Sequence, residues 1–317
     1  MNPQEGGWQP PPDDPRLSLR QRNSEAGWRA AIACICERHG LDAHVLSPFA
    51  QGETIVWQAG GHVLKLTAPA CAYQIEAEVG GLGAAHEKLR VTTPRVVAHG
   101  ELSGWPYVVM TLLDGEPLAH FWPDLAHRDR LRLARDAGRL LSELHALPTP
   151  GFAAGWDAFF RTHTQDLRAR HARHGGPPAL LDAIEPFVQR VVPRQHGPLV
   201  PLHTELSELH LYASERGGQL ELSGLLDFAD ARLGPAEYEF DSIVEFLFRG
   251  ERGLLRECLL GAGLAEAELT PGYSERLLGF ALCHRFSNLN RMLGLVKPRL
   301  PASLEELAER VFSVAAS

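Results

Sequence analysis

Lysine is almost missing from this chain. Of 31 Lys and Arg residues only three are lysines, Lys65, Lys88 and Lys297. Arginine serves nearly everywhere a cation is wanted, so a lysine inside an apolar strand stands out. Long hydrophobic runs are missing too: no stretch approaches the roughly 18 apolar residues that a membrane-spanning helix needs. Basic excess is also absent. The net charge of −8 and pI near 6.0 speak against nucleic acid or an anionic membrane as a general partner. Cysteine is sparse. Cys34, Cys36, Cys71, Cys258 and Cys283 are scattered and odd in number, which excludes a disulfide framework. Cys34-x-Cys36 is too tight for the usual zinc or redox pair, so core thiols in a reducing compartment are expected. The start, MNPQEGGWQPPPDDPR, lacks the basic and apolar regions of a secretory signal. The expected location is cytoplasmic.

What is present suits a globular protein. With 317 residues, 44% hydrophobic and 22% charged, the chain can build one large domain or two lobes. Residues 1–15 are rich in Pro, Gly and acid and are expected to be a disordered tail. From Ser24 to His39 the spacing of Trp28, Ala31, Ile32 and Ile35 predicts an amphipathic helix. Strand-like runs follow at Ala43–Phe49, Thr54–Ala59 and His62–Thr67, the last two joined by Gly60-Gly61. A helix is predicted from Ala72 to about Leu89, then strands at Arg95–Gly100 and Trp105–Leu113. After Asp114-Gly115 helices take over, first at Leu131–Leu147 and then at Leu180–Val192. One hairpin interrupts them, His210–Ala213 with Leu220–Leu226. The expected division is a β-rich unit over 16–113 and a helical unit over 114–317.

Four stretches carry chemistry. In GGHVLKL, Lys65 lies among apolar neighbours on a strand, and a buried lysine needs an anionic partner to keep its charge. In YQIEAEVGGL, Glu76 and Glu78 lie on different helix faces. Glu78 is favoured as that partner because Leu82, one turn on, anchors its face. In FAQGETIVWQAGG, Gly52 and Thr54 precede the lysine by about a strand and a turn, where backbone N–H groups can lie against phosphate. In LSGLLDFADARLGP, Asp227 ends an apolar strand, which is costly unless it meets a cation or hydrogen-bond donors. Upstream, PLHTELSELHLYAS offers His203, Glu205 and His210. Glu205 and Asp227 are 22 residues apart, room for a hairpin that brings their ends together.

In that order the pieces resemble the aminoglycoside phosphotransferase family over roughly Leu46 to Arg285. Further phrases support the likeness: GWPYVVMTLLDGEPL, AGRLLSELHALP and LLDFADARLGPAEYEFDSI. WPYVVM, FRGER and LCHRF look most like hygromycin phosphotransferases. The resemblance implies an α+β, bilobal protein-kinase-like fold, with a small antiparallel β-sheet lobe carrying one helix and a larger, mainly helical lobe. It implies an ATP-dependent O-phosphotransferase acting on a hydroxyl of a small molecule, such as an aminoglycoside-like antibiotic or natural product. By that likeness Gly52, Thr54, Lys65 and Glu78 serve the ATP phosphates, and Met110, Thr111 and Leu113 the adenine. Glu205 and His203 would be catalytic, and Asp227 with His210 would hold Mg²⁺. The protein would be a monomer or homodimer.

The loop departs from the family's His-Gly-Asp-Leu-His-x-x-Asn. Thr204 replaces Gly, Glu205 replaces Asp, Ser207 replaces the second His, and His210 replaces Asn. Glutamate is basic enough, but its carboxylate reaches one methylene further. Imidazole suits Mn²⁺ or another divalent ion better than Mg²⁺. The alternatives are therefore an impaired pseudokinase or nucleotide-binding module, another transfer on the same scaffold, and an iron site made of His203, Glu205 and His210. The acids Glu237, Glu239, Asp241 and Glu245 suit either a cationic substrate or an exposed helix start.

Overall fold

The computed structural model describes residues 25–49, 54–195 and 197–315. The Pro-rich start and Gly52 lie outside them. Helix α1 (Glu25–His39) buries Trp28, Ala31, Ile32, Ile35 and Cys36, the stripe that the spacing predicts. That stripe covers one face of a five-stranded antiparallel sheet in the order β1-β2-β3-β5-β4. Its strands are β1 (Leu46–Pro48), β2 (Ile55–Ala59), β3 (His62–Leu66), β4 (Val96–Leu102) and β5 (Trp105–Thr111). Leu64 and Leu66 join Trp57 and Tyr107 in this core. Alternation along the strand then turns Lys65 to the opposite face.

On that face lies α2 (Ala72–Ala85). It stops short of the expected Leu89 because His86 turns to an extended ψ and Glu87 adopts φ 59°. Two glycines let α2 pack closely. A Cβ on Gly80 would sit 2.0 Å from the Gly151 carbonyl oxygen, and one on Gly81 would sit 2.8 Å from the Phe228 ring. No side chain fits there, so any substitution pushes α2, and the acid it carries, off its seat.

After the short strand β6 (Glu116–Pro117) the chain is mainly helical. Helix α3 (His127–His145) buries Leu133, Ala134, Ala137, Leu140, Leu141 and Leu144. Next come α4 (Trp156–Thr164), α5 (Leu167–Ala172) and α6 (Pro178–Val191). Strand β7 (Val200–Leu202) leads into the loop with His203, Glu205 and His210. Strands β8 (Leu211–Arg216) and β9 (Gln219–Leu225) form the predicted hairpin, tightened to Gly217-Gly218. Both glycines have positive φ, as such a two-residue turn requires. Strand β10 (Arg232–Gly234) pairs with β7, with Arg232 opposite Leu202. Helix α7 (Phe240–Ser242) continues as a π-helical turn over Ile243–Phe248. Helices α8 (Leu254–Gly261), α9 (Pro271–Cys283), α10 (Leu289–Leu295) and α11 (Leu304–Val311) complete the helical part. No helix among the described residues is long and apolar enough to cross a membrane. The five cysteines are free; Cys36, Cys258 and Cys283 are buried, while Cys34 and Cys71 are only half-buried.

Candidate active site

The site forms where β3, α2 and the hairpin β8–β9 meet. Lys65, 5% exposed, donates from Nζ to Glu78 Oε2 at 2.9 Å and to Asp227 Oδ1 at 2.6 Å. Of the two candidate glutamates it is Glu78 that turns inward; Glu76 is exposed. The second oxygen of Glu78 accepts the Phe228 backbone N–H at 3.2 Å, which ties α2 to the residue after Asp227. Burial alone would strip Lys65 of its proton, but the two carboxylates outweigh it and hold the ammonium above its ordinary range. Burial works against Asp227 as well, yet the Lys65 ammonium keeps its carboxyl well below the usual range. Glu78, the more deeply buried acid, is pushed upward despite Lys65. Asp227 has φ 70°, a left-handed backbone that non-glycine residues adopt at a cost.

The loop beneath is fixed largely through its backbone. Glu239 is fully buried and accepts the N–H groups of His203 at 2.8 Å and Thr204 at 2.9 Å. Thr204 stands where the family pattern has glycine, and its φ is 71°. A β-branched residue is strained there. Compensating contacts hold it: Ser242 Oγ donates to its carbonyl at 2.9 Å, and its own hydroxyl donates to the Asp230 carbonyl at 3.3 Å. Replacing Glu239 by Ala leaves two buried N–H groups without an acceptor. At about 1–3 kcal/mol each, denaturant unfolding is expected to register a loss of roughly 2–5 kcal/mol. Glu239→Gln retains one acceptor oxygen and should lose about half as much. A loss under about 0.5 kcal/mol in the Ala variant would mean that the loop is held by other contacts.

His203 takes a different part from the catalytic one its motif implies. Its ring is buried; Nε2–H donates to the Leu226 carbonyl at 3.0 Å, and Nδ1 accepts the Glu205 N–H at 3.3 Å. Both nitrogens are engaged with backbone, and burial lowers the pKa to about 4. The ring is a neutral strut between the loop and the end of the hairpin, with no lone pair for a substrate or a metal. The iron-site alternative thus lacks one of its three ligands, and no group of three His, Cys, Asp or Glu side chains stands together for a metal ion among the described residues.

Glu205 is free to act. Its carboxylate makes no hydrogen bond or ion pair among the described residues, while burial, Asp230 and Asp227 push its pKa up to about 8. His210 donates from Nδ1 to the Glu205 carbonyl at 2.5 Å. In the neutral ring the lone pair then sits on Nε2, which lies 3.7 Å from Asp227 Oδ2. Two electron-pair donors facing each other fit a cation between them. Two protein donors also fit the way Mg²⁺ binds, with the rest of its shell drawn from phosphate oxygens and water.

The remaining expected nucleotide contacts divide. Thr54 stands at the head of β2, partly exposed. Met110 is buried within β5. Thr111 has its N–H on the Arg95 carbonyl while its hydroxyl oxygen accepts the Arg95 N–H, so its backbone N–H is not available to adenine. Leu113 lies beyond the sheet, and its main chain has no hydrogen bond among the described residues.

Several groups around the site were not legible in the sequence. Asp230 pairs with Arg285 at 2.6 Å. Asp241 meets His284 Nδ1 at 3.0 Å, and Glu245 pairs with Arg291. Glu239, Asp241 and Glu245 are all buried and Glu237 is half-buried against Arg276, which corrects the reading of these acids as an exposed helix start. Each faces a donor or base brought from elsewhere in the chain. Their apolar neighbours Tyr238, Phe240, Ile243 and Val244, which leave no polar face to the segment, were the available signal.

The bilobal, protein-kinase-like architecture recurs in solved aminoglycoside phosphotransferases. The GDP complex of wild-type aminoglycoside 2'-phosphotransferase-IIIa superposes with a TM-score of 0.65 at 17% identity, covering 79% of this chain and 87% of that one. APH(3'')-Id from Streptomyces rimosus gives 0.57 at 18% identity over 80% and 96% of the two chains. The streptomycin-ATP complex of APH(2")-IIa gives 0.57 at 14% identity over 83% and 89%. At such identities these likenesses carry the fold, and none of them singles out a hygromycin phosphotransferase. The profile of the phosphotransferase enzyme family matches residues 53–276, most of the chain with Lys65, Glu78, Glu205, His210 and Asp227 inside it, and the chain therefore belongs to that family.

Proposed function

We propose that the protein transfers the γ-phosphoryl group of ATP to a hydroxyl of a small molecule, with Glu205 as the general base. The observation that carries this reading is the assembled trio of Lys65, Glu78 and Asp227 beside an unpartnered Glu205 carboxylate. Lys65, kept charged by its two acids, is placed to bind phosphate oxygens. Glu78 holds the lysine in position, and Leu113 offers main-chain groups to adenine. Asp227 and His210 would hold the divalent ion, which supplies charge neutralisation on the transferring phosphoryl group. Glu205 accepts the proton of the attacking hydroxyl, and His203 and Glu239 keep its loop in register. Solved relatives of the same fold hold nucleotides together with aminoglycosides, kanamycin with GDP and streptomycin with ATP. The acceptor is accordingly read as a hydroxylated antibiotic or natural product.

Nucleotide binding is the first test. ATP with Mg²⁺ is expected to raise the melting temperature of the parent protein. Lys65→Ala removes a charge-assisted contact, so nucleotide affinity should fall about 10–100-fold. No shift in the parent, or an equal shift in the variant, would refute the assignment. A parent that binds ATP yet phosphorylates no hydroxyl would instead be the pseudokinase.

A further inference from the structure

Arg285, just after α9, touches both halves of the site. Its backbone N–H donates to Tyr238 Oη at 3.1 Å, which anchors it beside Glu239, the brace of the loop. Its guanidinium meets Asp230 Oδ1 at 2.6 Å. The same group lies 4.3 Å from the centroid of the Phe286 ring and 5.9 Å from that of Tyr73. Tyr73 stands near the start of α2, the helix that carries Glu78.

Asp230 is held at two points. It belongs to a tight turn that the Ala231 N–H closes on the Phe228 carbonyl at 3.0 Å. That turn joins Asp227 to β10. The Asp230 carbonyl accepts the Thr204 hydroxyl at 3.3 Å, and Thr204 immediately precedes Glu205. Its carboxylate goes to Arg285. Asp230 is buried, and only 14% of the Arg285 side chain is exposed. A buried carboxylate of this kind depends on its cation, and after burial Arg285 is the largest influence on it. Packing against the two rings keeps the planar guanidinium in place. Strain gives the placement its importance. Asp227 at φ 70° and Thr204 at φ 71° flank the turn and the base, and such backbones persist only where their surroundings over-determine them.

We propose that Arg285 is a positioning residue for the base: it clamps the Phe228–Ala231 turn against the loop and so fixes the spacing of Glu205 and Asp227. Through Tyr73 it ties the same turn to α2. This rests on the phosphotransferase reading and deepens it. Arg285 acts through Asp230 and Thr204, not on the reacting atoms.

Two measurements test it. Hydrogen exchange read by mass spectrometry needs no acceptor. In Arg285→Gln the peptides over 203–210 and 227–231 should exchange about 10-fold faster or more, while α3 keeps the parent's rate. Arg285→Lys keeps the charge without the planar contacts and should fall between. If Arg285→Gln folds poorly, Arg285→Lys and Asp230→Asn serve for the same comparison. Unchanged exchange overturns the clamp, and so does an acceleration spread evenly over the chain. Turnover is then followed as ATP hydrolysis by water and as transfer to kanamycin. In Arg285→Gln kcat should fall about 10²-fold, as a displacement near 1 Å would produce, with the KM for ATP near the parent's and partial rescue in Arg285→Lys. The double variant Arg285→Gln with Asp230→Asn should stay slow. Its recovery to the parent's rate would mean that Arg285 only neutralises a buried charge, and a raised KM for ATP at unchanged kcat would place it in the nucleotide site; either result overturns the proposal. Locally faster exchange in Arg285→Gln, with a parent that neither hydrolyses ATP nor phosphorylates kanamycin, leaves the clamp standing and counts against the phosphotransferase reading.

Discussion

Asp227→Ala is expected to abolish Mg²⁺-dependent nucleotide binding and to cut phosphoryl transfer by about 10³-fold or more, the several kcal/mol that metal charge stabilisation supplies. In the proposed reading Asp227 is the hard, anionic donor to the metal. Lys65 holds its carboxyl below the usual range, so it stays charged across any working pH. His210, 3.7 Å away, offers a single softer nitrogen. Removing it should change metal preference before it removes activity. His210→Asn should therefore shift the optimum from Mn²⁺ toward Mg²⁺ at modest cost. Isothermal titration of ATP with each ion, and again with EDTA, separates the two effects from turnover. A Mg²⁺-dependent affinity that survives Asp227→Ala would remove Asp227 from the metal site. Equal losses in both variants would make His210 a full ligand and direct the search to softer ions.

The parts of the site legible in the sequence are those whose signal is local. Lys65 shows because it breaks an apolar strand in a chain with three lysines. Glu78 shows because Leu82 lies one turn on, and Asp227 because it ends an apolar strand after a glycine turn. The fold followed from the order of these pieces and the resemblance they support. What stayed hidden depends on partners far along the chain. Glu239 braces residues 36 and 35 positions before it, and Glu245 meets Arg291, 46 positions on. With no partner in view, acids at the start of a helix read as solvent-facing. Only the packed structure reveals that each is buried against a partner of its own. His203 misled for the same reason: its motif suggests chemistry, while its two backbone contacts make it a support.

Glu205→Gln should leave ATP affinity intact and lower turnover by about 10²–10⁴-fold, the usual contribution of a general base. The pH profile gives a sharper signature. Burial, then Asp230 and Asp227, raise the Glu205 pKa to about 8, so only a minor fraction is ionised at neutral pH. The parent's kcat/KM should climb with pH and level off above about 8, and Glu205→Gln should flatten that limb. Stability moves in the opposite sense. Between the ordinary carboxyl value of 4.5 and about 8, the folded state holds a proton that the unfolded state has released. Stability then falls as pH rises through that window. Glutamine never ionises and escapes the loss. The variant should therefore melt above the parent at pH 9 and close to it at pH 4.5. Glu205→Asp should not restore full turnover, because its shorter side chain withdraws the carboxylate from the acceptor, and an error of about 1 Å in position can cost on the order of 10²-fold. A double variant, Glu205→Asp with His210→Asn, that outperforms the parent would mean a loop in decay. A parent with a rising pH limb that the double variant cannot match would mean a loop adjusted to its own acceptor.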